Sequence, residues 1–456
     1  MPNKVAFNEN YPSITESEKL YARATGLIPA YTQTLAKGPG QYVKGIAPKY
    51  AVKGKGAHVW DADGNEYIDY QMAIGPLSLG YCYEKIDHAI KSQLADGITF
   101  SLVHPLEIEV AELIREVVPN VESVRYSKTG CDVVSAAVRL ARAYTGREKV
   151  LCCGYHGWHD WYIAVTDRNK GIPEAVKDLS YTISYNDIQS VIDGIDENTA
   201  CVVLEPMVFE FPKNDFLQKL REVCDQNGTL LIFDEMWTGF RFALGGAQEL
   251  FNVRADLMCF SKAVANGMPI GILCGRGDVM KLCEKDIFFF TTFGGEALSL
   301  AACKATIEEL RAKNVPAYLA AQGKKLREGY NQIAKELGMD YTSCSGHDAR
   351  TIVTFASKDG SNPLEMKSLV QQEMIKRGVL WGGFHNMSFS HTDTDIEHTL
   401  AAYREVLPIL KKAMGEKNVV GYLKGECVEP VFRKTSNFDM KPAKKKKFEL
   451  SFEIKL

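Results

Sequence analysis

Thr229-Leu-Leu-Ile-Phe-Asp234-Glu235 is a short unbroken apolar run that closes on carboxylates. A run without polar alternation reads as a strand buried on both faces, the kind found in parallel sheets. Ligands of open α/β sheets sit at the carboxyl ends of strands, so Asp234 is expected to reach a site and not solvent. Comparable runs surround it: Lys149-Val-Leu-Cys-Cys, Ala200-Cys-Val-Val-Leu-Glu205 and Gly271-Ile-Leu-Cys-Gly275. From about residue 104 to 310 such runs alternate with helical patterns, which predicts an α/β fold whose large domain has a mostly parallel central sheet.

Working outward, the pattern after Pro316 changes to a long amphipathic helix up to about Leu337, then alternating strands near 349–356 and 379–381, then a helix over 393–414. This reads as a smaller α+β domain. At the other end, Ser13 or Thr15 is placed to cap a short helix with an acidic first turn. Ala57-His-Val-Trp-Asp61-Ala-Asp63-Gly64-Asn65-Glu-Tyr-Ile-Asp69 reads as two strands around an Asp-Gly-Asn turn. The expected division is residues 1–75 packing with the small domain, 76–315 as the large domain, 316–415 as the small one and 416–456 as an extension. In that extension the lysines at 444–447 read as a solvated tail and residues 448–456 as an edge strand.

A chain of 456 residues is too long for one ordinary core, which also argues for two domains. With 54 basic and 57 acidic residues the net charge is -3, so nothing global draws the chain to nucleic acid or anionic membranes. The 12 cysteines form no Cys-x-x-Cys pair and many lie inside apolar runs, as expected in a reducing cytoplasm. The opening Met1-Pro-Asn-Lys-Val-Ala-Phe-Asn-Glu-Asn-Tyr-Pro12 has no apolar stretch of signal-peptide length, and no later run reaches the roughly 18 apolar residues of a membrane span. A cytoplasmic protein without nucleic-acid or membrane partners is expected.

Lys262 stands in Asp256-Leu-Met-Cys-Phe-Ser-Lys262-Ala-Val-Ala-Asn-Gly267-Met-Pro269, between an apolar run and a glycine turn, where its amine can form a Schiff base. A lysine with a strand-end aspartate is the pair that pyridoxal phosphate needs. One holds the cofactor, and the other keeps its pyridine nitrogen protonated so that the ring stores electrons. Thr129, Gly130 and Cys131 directly precede a helical pattern over 133–144 and would offer N–H groups to an anion, although Thr-Gly before a helix also reads as a plain cap. Tyr155 can lie on a planar cofactor or simply pack. Glu205 reads either as a residue beside the cofactor or as a strand end. His156 and His159 lack a third ligand at metal spacing, so no metal site is expected.

In combination these pieces resemble the class III, fold type I pyridoxal-phosphate aminotransferases, closest to the glutamate-1-semialdehyde 2,1-aminomutase branch, over roughly residues 45–410. The resemblance is carried by Trp60-Asp-Ala-Asp-Gly-Asn-Glu-Tyr-Ile-Asp69, Arg139-Leu-Ala-Arg-Ala-Tyr-Thr-Gly-Arg147, Tyr155-His156-Gly157, Glu205-Pro206, Asp234-Glu-Met-Trp-Thr-Gly-Phe-Arg241 and the Lys262 segment with Gly267-Met-Pro-Ile-Gly271. It implies the phosphate loop at Thr129, Gly130 and Cys131, the stacking aromatic at Tyr155 with His156 beside it, the pyridinium carboxylate at Asp234 and the Schiff-base lysine at Lys262. It also implies a homodimer with shared active sites, in which Thr292 of Phe290-Thr-Thr-Phe-Gly-Gly-Glu-Ala-Leu298 binds the neighbouring subunit's phosphate.

Three departures from that branch bear on the substrate. Trp161-Tyr-Ile-Ala-Val-Thr-Asp-Arg-Asn-Lys-Gly-Ile-Pro173 is shorter and more charged than the branch's glycine-rich gating loop. Gly40-Gln-Tyr-Val-Lys44 offers a lysine where the branch has a carboxylate-binding arginine, and lysine lacks the two-pronged donor geometry. Met207-Val-Phe-Glu210 replaces small residues and an asparagine. The reading is an aminotransferase with an amino-acid donor and a small polar, sugar-like aldehyde or ketone as acceptor, contacted by Lys44, Trp158, His159 and Glu210, with Trp161 and His385 nearby. The alternatives are a true aminomutase and a non-catalytic scaffold of the same fold.

Overall fold

A computed structural model describes residues 5, 7–207, 209–430 and 441–442, and the chain divides into two compact units. One comprises 1–88 with 308–435, the other 89–307 with 436–456. The lysine run at 444–447 and the strand expected over 448–456 lie outside the described residues. No helix among the described residues is long and apolar enough to cross a membrane.

The first unit opens with the helix Thr15–Ala24. Neither Ser13 nor Thr15 caps it. Instead the Asp63 carboxylate accepts from Glu16 N at 2.7 Å and Ser17 N at 3.0 Å, so the cap arrives from a hairpin turn distant in sequence. That hairpin joins β2 (His58–Asp61) to β3 (Glu66–Asp69), with β1 (Ala51–Lys55) antiparallel on the other side of β2.

The second unit carries the central sheet: β4 (Ser123–Ser127), β5 (Lys149–Cys153), β6 (Ser180–Thr182), β7 (Thr199–Leu204), β8 (Leu230–Asp234), β9 (Leu257–Phe260) and β10 (Gly271–Gly275). Its order is β4-β10-β9-β8-β7-β5-β6. β6, β5, β7, β8 and β9 run parallel, and β10 runs antiparallel to both its neighbours. Every residue of β7, β8, β9 and β10 is buried, as unbroken apolar runs require. The helix Gly130–Thr145 presses Val134, Ala137, Val138 and Ala141 into the same core as Cys152, Val203, Ile232, Cys259 and Leu273.

In its later part the first unit holds β11 (Thr342–His347), β12 (Arg350–Phe355), β13 (Val379–Leu380) and β14 (Phe384–Asn386), with helices Val315–Glu336, Pro363–Lys376 and Asp393–Gly415. β11, β12 and β14 make an antiparallel sheet, while β13 pairs parallel with β3. His385, expected near substrate, is enclosed in this unit instead. Its Nδ1 lies 2.8 Å from Thr351 Oγ1 and its Nε2 2.8 Å from Tyr403 Oη, and burial drives its imidazole down to about 3, so it stays neutral.

Candidate active site

The register of the parallel strands lines up their ends. Cys153 pairs with Leu204, Leu204 with Phe233, and Asp234 with Cys259. The residues just past one edge of the sheet are therefore Tyr155 and His156 after β5, Glu205 after β7, Asp234 closing β8, and Lys262 two residues beyond β9. This is the carboxyl edge at which α/β sheets bind ligands.

Asp234 is 2% exposed and has two partners among the described residues: His156 Nδ1, 2.8 Å from Oδ2, and Met236 N, donating to Oδ1 at 3.1 Å. His156 is equally enclosed, and its Nε2 faces the Cys153 carbonyl at 3.0 Å. A carbonyl only accepts, so Nε2 carries a hydrogen. The Nδ1 contact with the carboxylate then shares one further proton between the two side chains, and each is the other's partner in a buried place. Trp161 stacks on the His156 ring at 5.9 Å between centroids.

Strand alternation turns the neighbouring Glu235 the other way. It accepts from Ala247 N at 2.9 Å and Gln248 N at 3.1 Å and bonds Thr238 Oγ1. Burial, aided by Asp234, outweighs these donors and pushes its carboxyl up to about 7. Near neutral pH it adds less than a full negative charge beside Asp234.

Lys262 occupies the left-handed region at φ 49, an uncommon conformation for a non-glycine residue and one associated with functional sites. It opens a 3-10 turn, Lys262–Ala265, and its Nζ lies 3.7 Å from the centroid of the Trp237 ring. Trp237 was not among the residues expected from sequence. Its signal there was its place three residues after the strand-end aspartate.

Thr129 is the N-cap of Gly130–Thr145 in a capping box: its hydroxyl accepts from Asp132 N at 3.3 Å, and its own N–H goes to Asp132 Oδ2 at 2.9 Å. Thr129 is therefore a helix cap. Gly130 and Cys131, in the first turn, still present N–H groups with no intrahelical acceptor. Two close approaches fix this loop: a Cβ on Gly271 would lie 2.4 Å from Thr129 O, and one on Gly157 would lie 2.3 Å from Cys131 Cβ. Tyr155 is half-exposed and donates its N–H to Glu205 Oε1 at 2.8 Å, so Glu205 both ends its strand and orients the Tyr155 turn. An amine, a buried carboxylate, first-turn N–H groups and an accessible tyrosine are the donor set that a phosphorylated pyridine requires.

The substrate candidates are less concentrated. Trp158 is 69% exposed and its ring meets His159 edge-on at 4.9 Å. Trp161 is buried and its indole N–H goes to Ser135 Oγ at 2.9 Å, so it is part of the core and not a substrate wall. Glu210 pairs with Lys213 at the surface. Lys44 belongs to the other unit, where its ammonium lies 3.2 Å from Glu429 and 3.7 Å from Glu426. Thr292 is exposed, between exposed Phe290 and Phe293. All 12 cysteines are free thiols.

The class-III aminotransferase family matches residues 44–394. A 3-aminobutyryl-CoA aminotransferase of Cloacimonas acidaminovorans is 33% identical over 413 residues, covering 88% of this chain and 99% of that protein. A glutamate-1-semialdehyde 2,1-aminomutase of Francisella tularensis is also 33% identical, over 85% of this chain and 97% of its own. Among solved structures, the PLP internal aldimine form of the FumI protein of Sphingopyxis sp. MTA144 superposes with a TM-score of 0.82 at 28% identity, covering 88% of this chain and 98% of that one. The chain belongs to the class-III aminotransferases, pyridoxal-phosphate-dependent enzymes of fold type I.

Proposed function

We propose that this enzyme moves an amino group from an amino-acid donor, such as glutamate, to a small polar, sugar-like aldehyde or ketone. The observation that carries the reading is the pairing of a buried Asp234, gripped by His156, with Lys262 in a left-handed turn past the adjoining strand. When bound, pyridoxal phosphate supplies a sink for the electrons left on the substrate carbon that loses its proton. Lys262 would anchor it, Asp234 would keep its ring nitrogen protonated, and Tyr155 would pack against it. Gly130 and Cys131 would hold the phosphate through their N–H groups, and Thr129 would contribute its hydroxyl.

Lys262 would also act as the base. Its neutral Nζ takes the proton from the donor's amine-bearing carbon and later returns one to the acceptor's carbonyl carbon. Trp237 gives the amine a face to rest against between the two transfers. Asp234 is fixed in place by His156 and by the Met236 N–H, so the field it supplies is arranged before reaction. The cofactor-binding role is assigned to the domain over 76–315.

The same reading makes the enzyme a cytoplasmic homodimer with shared sites, in which Thr292 of the partner subunit completes the phosphate cup. Support comes from exposed apolar side chains on the cofactor-binding unit: Phe288, Phe290 and Phe293 are more than half exposed, and Leu102 and Val103 are 83% exposed. Large apolar side chains left in water are the material of association surfaces. The free thiols support the compartment. Trp158 with His159 offers an aromatic and hydrogen-bonding surface suited to a hydroxylated acceptor. Lys44 and Glu210 would contact substrate only by leaving their present ion pairs.

A screen of amino donors and carbonyl acceptors, read by the absorbance change of the cofactor, tests the proposal. Hydroxylated aldehydes should be aminated faster than unsubstituted aliphatic ones of equal length; the opposite order defeats the sugar-like assignment. The aminomutase reading is favoured by one observation, the equal identity to a semialdehyde aminomutase. Complete isomerisation of glutamate-1-semialdehyde with no added donor would replace the first reading with it.

A further inference from the structure

We propose that Cys131, Asp132 and His159 form a binding site for a thiophilic divalent cation, Zn2+, in the cofactor-free chain, and that an occupied site blocks cofactor loading. The second half rests on the reading of Thr129 to Cys131 as the phosphate cup. One ligand atom from each of the three side chains lies within 4.8 Å of the other two, and all three residues are half-buried. Small side-chain rotations bring such a trio onto a tetrahedral ion with bonds of about 2.0–2.3 Å. Thiolate, imidazole and carboxylate are a zinc ligand set, with the fourth position left to water.

The surroundings favour ligation. His159 Nδ1 lies 2.6 Å from Ser135 Oγ, which also receives the Trp161 indole N–H. With Nδ1–H donating to Ser135, Nε2 carries the lone pair, the arrangement by which a neighbouring hydrogen bond fixes a metal-binding imidazole. Asp132 makes its side-chain bonds through Oδ2, to Ser127 Oγ and Thr129 N, which leaves Oδ1 to ligate. The thiolate and carboxylate together balance the two charges of the ion, and ligation releases the Cys131 thiol proton to solvent. Sequence spacing hid the site because Cys131 and His159 are far apart in the chain. Only the absence of a Cβ at Gly157 lets the second segment close on the first.

The Cys131 thiol adds metal affinity to a loop whose N–H groups are read as serving phosphate. An ion and its water over the first helical turn take the space that the phosphate needs. With Zn2+ at about ten times its Kd, mass action leaves about a tenth of the chain free, so cofactor uptake should slow about tenfold.

The test uses the full-length protein stripped of cofactor. Titration with Co2+ is expected to give the sulfur-to-cobalt charge-transfer absorption of a thiolate-bound ion at one equivalent per chain, with Zn2+ displacing it. Cys131→Ser should abolish the band, which separates this thiol from the other cysteines, and His159→Gln should weaken binding about tenfold or more. Zn2+ should slow pyridoxal phosphate uptake in the wild type and not in Cys131→Ser. Absence of the band, or a band that survives Cys131→Ser, overturns the site, and an uptake rate indifferent to Zn2+ overturns the block. The phosphate-cup reading fails separately, when metal-free wild type takes up no pyridoxal phosphate at all.

Discussion

Replacing His156 with leucine tests how Asp234 is held. The substitution leaves a carboxylate only 2% exposed with the Met236 N–H as its one partner, while the Cys153 carbonyl keeps the Glu205 N–H at 3.2 Å. Removing one member of a buried charged pair costs about 3–5 kcal/mol, because the other charge stays desolvated. Residues 89–307 form most of the unit concerned, and for domains of that size each kcal/mol moves the melting temperature by roughly 2–4 °C, so a fall on the order of 10 °C is expected. His156→Gln, which keeps an N–H for Asp234, should lose about 1–2 kcal/mol. Thermal unfolding of the cofactor-free protein by circular dichroism gives both values. A leucine variant within about 0.5 kcal/mol of wild type, or a glutamine variant less stable than the leucine one, would refute the argument that this pair carries the site.

Three further outcomes are expected. His58 is bracketed by Asp395 at 2.9 Å and Glu66 at 2.7 Å; burial lowers its proton affinity, but the two carboxylates outweigh that and raise it above the ordinary 6.5. Its contribution is therefore full below the unfolded value and fades as pH rises through the folded one, so the melting-temperature gap between wild type and His58→Gln should be wide at about pH 5.5 and narrow at about pH 8.5; an equal gap at both contradicts this. Trp237→Leu removes the ring 3.7 Å from Lys262 Nζ, worth about 0.5–2 kcal/mol, and should lower kcat up to roughly thirtyfold with donor KM little changed; a change confined to KM would show the ring to be a substrate wall instead. Gly157→Ala sets a Cβ against Cys131 at φ +97, costing about 1–3 kcal/mol and weakening cofactor binding, which titration of the cofactor-free protein measures; unchanged affinity would show that the contact does not shape the loop.

Much of the cofactor edge was legible because its strands are buried on both faces, so β5, β7, β8 and β10 stand out as apolar runs. β4, Ser-Val-Arg-Tyr-Ser, was not, since as an edge strand it is mostly half-buried and keeps polar residues. β6 spans three residues, too few to show a period. The Asp234 and Lys262 assignments followed from strand ends and turn chemistry, which are local. What escaped was long-range: the Asp63 cap on the helix at Thr15, the His156 contact across 78 positions, and the Trp237 face under Lys262. Each depends on how strands align and not on neighbours in the chain. The surroundings of His385 were equally hidden, because a buried histidine satisfied by Thr351 and Tyr403 has the same letter as an exposed one.

The central claim is that Lys262 is the amine that holds and serves the cofactor beside Asp234. Lys262→Ala, purified and mixed with pyridoxal phosphate, should lack the visible absorption of lysine-bound cofactor and show no turnover, while keeping the wild-type circular dichroism. An unchanged absorption spectrum and measurable transamination in that variant would contradict the account.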